Sequence, residues 1–132
     1  MNGSARILNY SLLSGSAYFL CIALAHLISL KIPGLYIYYN VPSLAYQDRI
    51  ISFLAFGWAM LFYAGARHPA VVRLVLIAAV VALAGLVNIN LAGEFGAEGV
   101  ETAPFWVQTV LLGGYVGWLA LFAVRAGAIG RG

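Results

Sequence analysis

Four stretches of this chain are apolar for long enough to cross the hydrocarbon core of a bilayer, which takes about 20 helical residues. They cover about residues 7–30, 44–66, 71–91 and 104–124. The first ends at Lys31 and Pro33. The second has its apolar heart between Ile50 and Ala66 and reaches back to Leu44, with Ser43 as the expected N-cap. The third carries Arg73 in its first turn, and the fourth starts at Pro104, a residue suited to a first helical turn. In lipid every backbone polar group must bond within the protein, so an open sheet is excluded. A barrel would show short segments of alternating polarity, which are absent here. The expected fold is all-α: one integral membrane domain, residues 1–132, built as a four-transmembrane-helix antiparallel bundle.

Charge sets the remaining bounds. Hydrophobic residues make up 64% of the chain and charged residues 8%, against about 25% charged in soluble domains. So few charges cannot solvate a globule, and a soluble monomer is excluded. The seven basic residues are scattered along the chain, so no nucleic-acid surface forms. A single cysteine, Cys21, excludes an intrachain disulfide and a cysteine-built zinc site.

The connections carry topology. Residues 67–70 are a very short turn, so the second and third spans form a hairpin. The link over residues 31–43 holds Tyr36, Tyr38 and Tyr39 and is expected to lie along the membrane surface, where such rings partition. Residues 92–103 are acidic, interrupted by glycine and expected to be a solvated loop. With four spans, Arg6, Arg67, Arg73, Arg125 and Arg131 share one side, free of acidic residues. Lys31 and Arg49 share the other with Asp48, Glu94, Glu98 and Glu101. The positive-inside rule then places both termini in the cytoplasm and the chain in the cell (inner) membrane. Arg6, the apolar run and Ala23-Leu24-Ala25 imitate a cleaved signal peptide, but the segment is read as a retained helix.

Helices in lipid associate through small side chains that let backbones approach. Ala17, Cys21 and Ala25 form such a stripe on the first span. Gly57 and Gly65 on the second, Ala78, Ala82 and Gly85 on the third, and the Gly113-to-Gly117 GxxxG on the fourth are the other expected packing sites.

Polar groups within spans are expensive, and here they gather toward one surface. His26, Asp48, Arg49, Asn88, Asn90 and Gln108 fall within roughly 8 Å of the same end, at ~1.5 Å per helical residue. Two readings compete. In one, these groups snorkel to water or bond helix to helix. In the other they line a ligand pocket, with His26 at its base, Asp48 or Asn88 orienting it, and Arg49 holding an anionic or carbonyl-bearing head group. Asn90 and Gln108 would add hydrogen bonds. Glu94, Glu98 and Glu101 offer a second candidate surface, for docking a basic partner. His68 sits in the opposite turn and cannot join His26 at one metal or haem.

No carboxylate is expected in the hydrocarbon core, and the sequence has no HExxH, no CxxC and no phosphate-binding glycine loop. No metal site or catalytic set follows. In outline, with four spans and an aromatic, proline-bearing loop after the first, the chain is similar to several small bacterial four-helix families, including the DoxX-like proteins. The leading functional expectation is an accessory subunit of a larger membrane complex, with partner subunits or a homo-oligomer. The alternative is a protein that binds a quinone or lipid head group near His26, and the third an oligomeric channel or transporter. Motifs imply no cofactor.

Overall fold

The computed structural model describes residues 2–97 and 99–129, with the side chains of all but Glu94 and Ala97. Glu98 and Arg131 thus lie outside the described residues, as does the side chain of Glu94. Four long helices account for most of the chain: α1 (Gly3–Leu27), α2 (Ala45–Arg67), α3 (Pro69–Leu91) and α5 (Ala103–Arg125), with a short α4 (Glu94–Ala97) before the last. All four long helices have the length and apolar composition of membrane spans. The protein is a multi-pass helical membrane protein folded as a four-helix bundle.

Local chemistry explains the ends. Asn2 starts α1 ahead of the expected position because its side-chain oxygen accepts the Ala5 N–H at 2.8 Å, satisfying one free donor of the first turn. α1 stops at Leu27, where Ser29 adopts a left-handed backbone with φ 54°. The Leu30 N–H then reaches the Ala25 carbonyl at 2.8 Å and the Ser29 N–H that of His26 at 3.3 Å, a Schellman closure. Ser43 is not the cap of α2. Leu44 holds that position, its N–H bonded to Gln47 Oε1 at 3.0 Å, and the Ser43 hydroxyl turns to Asp48 instead. Only His68 separates α2 from α3, and Pro69 supplies the first residue of α3.

α1 packs against α2 and α5, and α3 closes the ring against the same two helices. The α1–α2 pair is the most extensive. Its antiparallel register is visible in Leu12 beside Gly65, Gly15 beside Phe62 and Ser16 Oγ donating to the Ala59 carbonyl at 2.8 Å. Leu12, Phe62, Val72, Val75 and Leu119 form the dry core at the turn end. Outside, Phe53, Val81, Val110 and Leu111 are exposed. A bundle apolar on both faces is stable only where its outside meets lipid.

The small residues that pack are only in part the expected ones, Ala25 and Gly65 among them. Ala25 is buried, but Ala17, Cys21, Gly57 and Gly117 face outward, and a Cβ added at Gly57 or Gly117 would meet nothing within 4 Å. Gly113 meets only the Leu83 side chain, at 3.6 Å. The tight approaches lie at Gly15 and Gly65. A Cβ at Gly15 would stand 2.5 Å from Phe62 and nearer still to the Tyr115 hydroxyl. One at Gly65 would stand 3.0 Å from Val75. Inside and outside are equally apolar here, so spacing alone selected the wrong face at Ala17, Cys21, Gly57 and Gly117.

The 28–44 link does more than lie along the surface. Side chains of three helices tie it across the bundle end. The Tyr18 hydroxyl donates to the Gly34 carbonyl, Gln108 Nε2 to the Ile37 carbonyl at 3.2 Å, and the Tyr38 hydroxyl to Asn90 Oδ1 at 3.4 Å. Lys31 Nζ closes the link on itself through the Val41 carbonyl at 3.0 Å. The 92–103 segment is likewise not simply solvated: Phe95 of α4 packs on Tyr38 and Phe105, ring centres 5.2 and 5.5 Å away.

Candidate functional site

The tied-down link roofs a polar site. His26, the last residue but one of α1, is 7% exposed, and Asp48, in the first turn of α2, is 2% exposed. The α1–α2 register sets them face to face, His26 Nδ1 at 3.7 Å from Asp48 Oδ1. That is ion-pair range but beyond a hydrogen bond, and Nδ1 has no other partner. Three features support the carboxylate. The N-terminal end of the α2 dipole favours negative charge. The Ser43 hydroxyl lies 3.2 and 3.1 Å from its two oxygens. The Ser29 hydroxyl, presented by the left-handed turn, lies 3.4 Å from Oδ2. Asp48 is thus enclosed by protein rather than surface-solvated.

Tyr36 completes the group. Its ring stacks on the imidazole, centres 3.6 Å apart and planes 19° from parallel. It is 4% exposed and its hydroxyl has no hydrogen-bond partner. Burial, with the negative charge of Asp48 nearby, holds the Tyr36 phenol above its ordinary pKa, so it is a neutral donor. Two buried polar atoms without partners among the described residues, Nδ1 and this hydroxyl, therefore share one enclosure with a carboxylate.

That enclosure is a cavity of about 380 Å³, bordered by His26, Tyr36, Ser43 and Asp48 at its polar end and by the exposed Ile51 and Leu54 on its flank. Phe19, Ile22, Ile37 and Trp58 also border a second cavity of about 230 Å³, lined by residues of all four long helices. Its other walls, among them Phe62, Ala79, Leu83, Leu112 and Val116, are apolar. A largely apolar cavity with one polar end thus lies beside a second apolar one.

The expected polar constellation divides accordingly. His26 and Asp48 meet in the chamber. Asn90 and Gln108 do not reach it. Asn90 Nδ2 donates to Thr109 Oγ1 at 2.9 Å, joining α3 to α5, and Gln108 holds the link at Ile37. Arg49 and Asn88 are exposed. One residue of helix turns a side chain by about 100°, so with Asp48 inward Arg49 points away. Glu101 is exposed, and its carbonyl accepts Asn40 Nδ2 at 3.4 Å. Sequence reasoning missed Tyr36, Ser43 and Ser29. Tyr36 was visible only as one of three tyrosines in the link, and Ser43 only as a cap. No protein-family model, curated protein or solved structure matches the chain, the DoxX-like families included, so the site stands on its geometry alone.

Proposed function

We propose that this protein binds a small amphiphile, a lipid or quinone-like molecule. Its polar head would sit among His26, Tyr36, Ser43 and Asp48 and its tail in the apolar cavity between the helices. The observation that carries this reading is that the two cavities are neighbours, with Phe19, Ile22, Ile37 and Trp58 lining both. An accessory subunit with a purely structural polar cluster needs no such space, and its polar atoms would be mutually satisfied. Pockets of a few hundred Å³ with few polar groups are the common form of small-molecule sites.

A second reading retains the accessory subunit. The outward Ala17, Cys21, Gly57 and Gly117 are the residue types that membrane helices offer to a neighbour, so a partner subunit or second copy can coexist with the ligand. In either reading the arginine-rich end, with Arg6, Arg67, Arg73 and Arg125, faces the cytoplasm. The site then opens toward the outer leaflet of the cell membrane. An impermeant thiol reagent on intact cells tests this orientation, with Glu98→Cys and Arg131→Cys introduced separately into Cys21→Ala. Labelling of position 131 with protection of 98 reverses it.

Binding is tested by purification in a neutral detergent, solvent extraction and mass spectrometry of what is retained. Wild type is expected to carry one enriched amphiphile that Ala55→Phe lacks, since Ala55 is buried on the wall of the larger cavity. Identical extracts from two equally folded proteins refute the reading.

A further inference from the structure

The charge balance of the chamber selects among head groups. Among the described residues no lysine or arginine lines it, and Asp48 supplies the one carboxylate of its lining. The hydrogen bonds to that carboxylate come from two serine hydroxyls, which carry no charge. His26 does not close on it, leaving Nδ1 at 3.7 Å. Burying a carboxylate with no full countercharge is expensive, and a cation brought beside it recovers much of that cost. The walls point the same way. Phe19 of α1, Tyr36 and Tyr38 of the link, Trp58 of α2 and Phe95 of α4 all border the space. Aromatic faces attract cations, and cavities walled by several rings are a recurring receptor for alkylated ammonium groups.

Resting on the binding reading above, we infer that the head group held in this chamber is cationic, an alkylated ammonium whose charge pairs with Asp48 and whose methyl groups lie against the rings. An anionic head would meet the like charge of Asp48 in a weakly screened interior. The expected role for Arg49 as an anion clamp is withdrawn, because Arg49 is exposed outside the chamber. Either a phospholipid or a free single-chain amine presents such a head.

The test uses the full chain in nanodiscs of a neutral glucosyl-diacylglycerol lipid, with empty nanodiscs subtracted. Three probes share one tail: decyltrimethylammonium, decyl sulfate and decyl glucoside. Wild type is expected to retain the ammonium about tenfold more tightly than the other two, the scale of a desolvated cation–π and charge contact. Asp48→Asn should erase that preference, bringing decyltrimethylammonium retention down to the level of decyl glucoside on the same variant. Tyr36→Leu, which keeps the carboxylate, should weaken ammonium binding several-fold, so the inference does not depend on the folding of one variant. Lysophosphatidylcholine separates the sources. Its retention together with decyltrimethylammonium assigns a phospholipid, and retention of decyltrimethylammonium alone assigns a free amine; both uphold the cationic head. Equal retention of the three probes, or a preference for sulfate or glucoside, overturns the cationic head and leaves amphiphile binding intact. Retention of none of the probes above empty nanodiscs overturns amphiphile binding itself, and the cationic head with it.

Discussion

Gly15→Ala adds one methyl group at the point where α1, α2 and α5 meet. The new Cβ would stand 2.5 Å from Phe62 Cδ1, so the ring must retreat by roughly 1 Å to reach ordinary contact. The space open to it is the cavity of about 230 Å³ that it borders, and moving there disturbs its ring contacts. Phe62 is 2% exposed and packs on Phe19, Trp58 and Tyr115 with ring centres at 5.2, 6.3 and 6.2 Å. Overpacking of this kind costs about 1–3 kcal/mol. The Tyr115 hydroxyl, which donates to the Ser11 carbonyl at 2.6 Å, is also displaced, adding about 1 kcal/mol if the bond is lost. Replacing glycine by alanine within a helix returns up to about 1 kcal/mol. The net expectation is a destabilisation of ~1–3 kcal/mol, up to about a hundredfold in the folding equilibrium. Gly117→Ala is the matched control: the same chemical change, in a helix, with nothing within 4 Å of the new atom. Reversible unfolding in mixed dodecyl sulfate and dodecyl maltoside micelles measures both. Equal stabilities for the two variants, or a larger loss at Gly117, refute this packing.

Asn90→Ala removes the α3–α5 bond to Thr109 and the anchor for Tyr38. It should cost ~0.6–2 kcal/mol, the range found for hydrogen bonds between membrane helices, in the same unfolding assay. The double variant Tyr18→Phe, Gln108→Leu frees the link at Gly34 and Ile37. Trypsin should then cut after Lys31 several-fold faster than in wild type, with the melting temperature of the bundle little changed, because local opening governs such cleavage.

The spans were legible because length and apolarity are properties of the chain in one dimension. The helix ends moved by a few residues, and each shift has a local cause, such as the Asn2 cap or the Ser29 turn. Helix rotation was not legible. In a soluble bundle the apolar stripe marks the inside. Here Leu24, Phe53 and Val110 are exposed while Leu12, Phe62 and Leu119 are buried, and nothing in their chemistry tells them apart. Ala17 and Cys21 were therefore assigned inward on spacing alone, whereas Gly15 and Ser16, beside them in sequence, make the contacts.

The same ambiguity hid the site. Asp48 and Arg49 are neighbours at one helix end, equally polar, and only the α1–α2 register decides which of them enters the bundle. Once Asp48 is inside, the surrounding irregularities gain a common explanation. A left-handed backbone at a serine costs about 1 kcal/mol relative to glycine, yet Ser29 holds that conformation and delivers its hydroxyl to Asp48. Ser43 forgoes the capping position for the same carboxylate, leaving Leu44 to be capped by Gln47. Tyr36 is carried over the imidazole by a link that three helices hold in place. A bundle that needed only to be stable would be served by leucine at position 48, since a buried charge is commonly matched or exceeded in stability by an apolar residue of similar size. Local propensity gives way around one carboxylate, and the proposed binding role accounts for that concentration of exceptions in an otherwise regular fold.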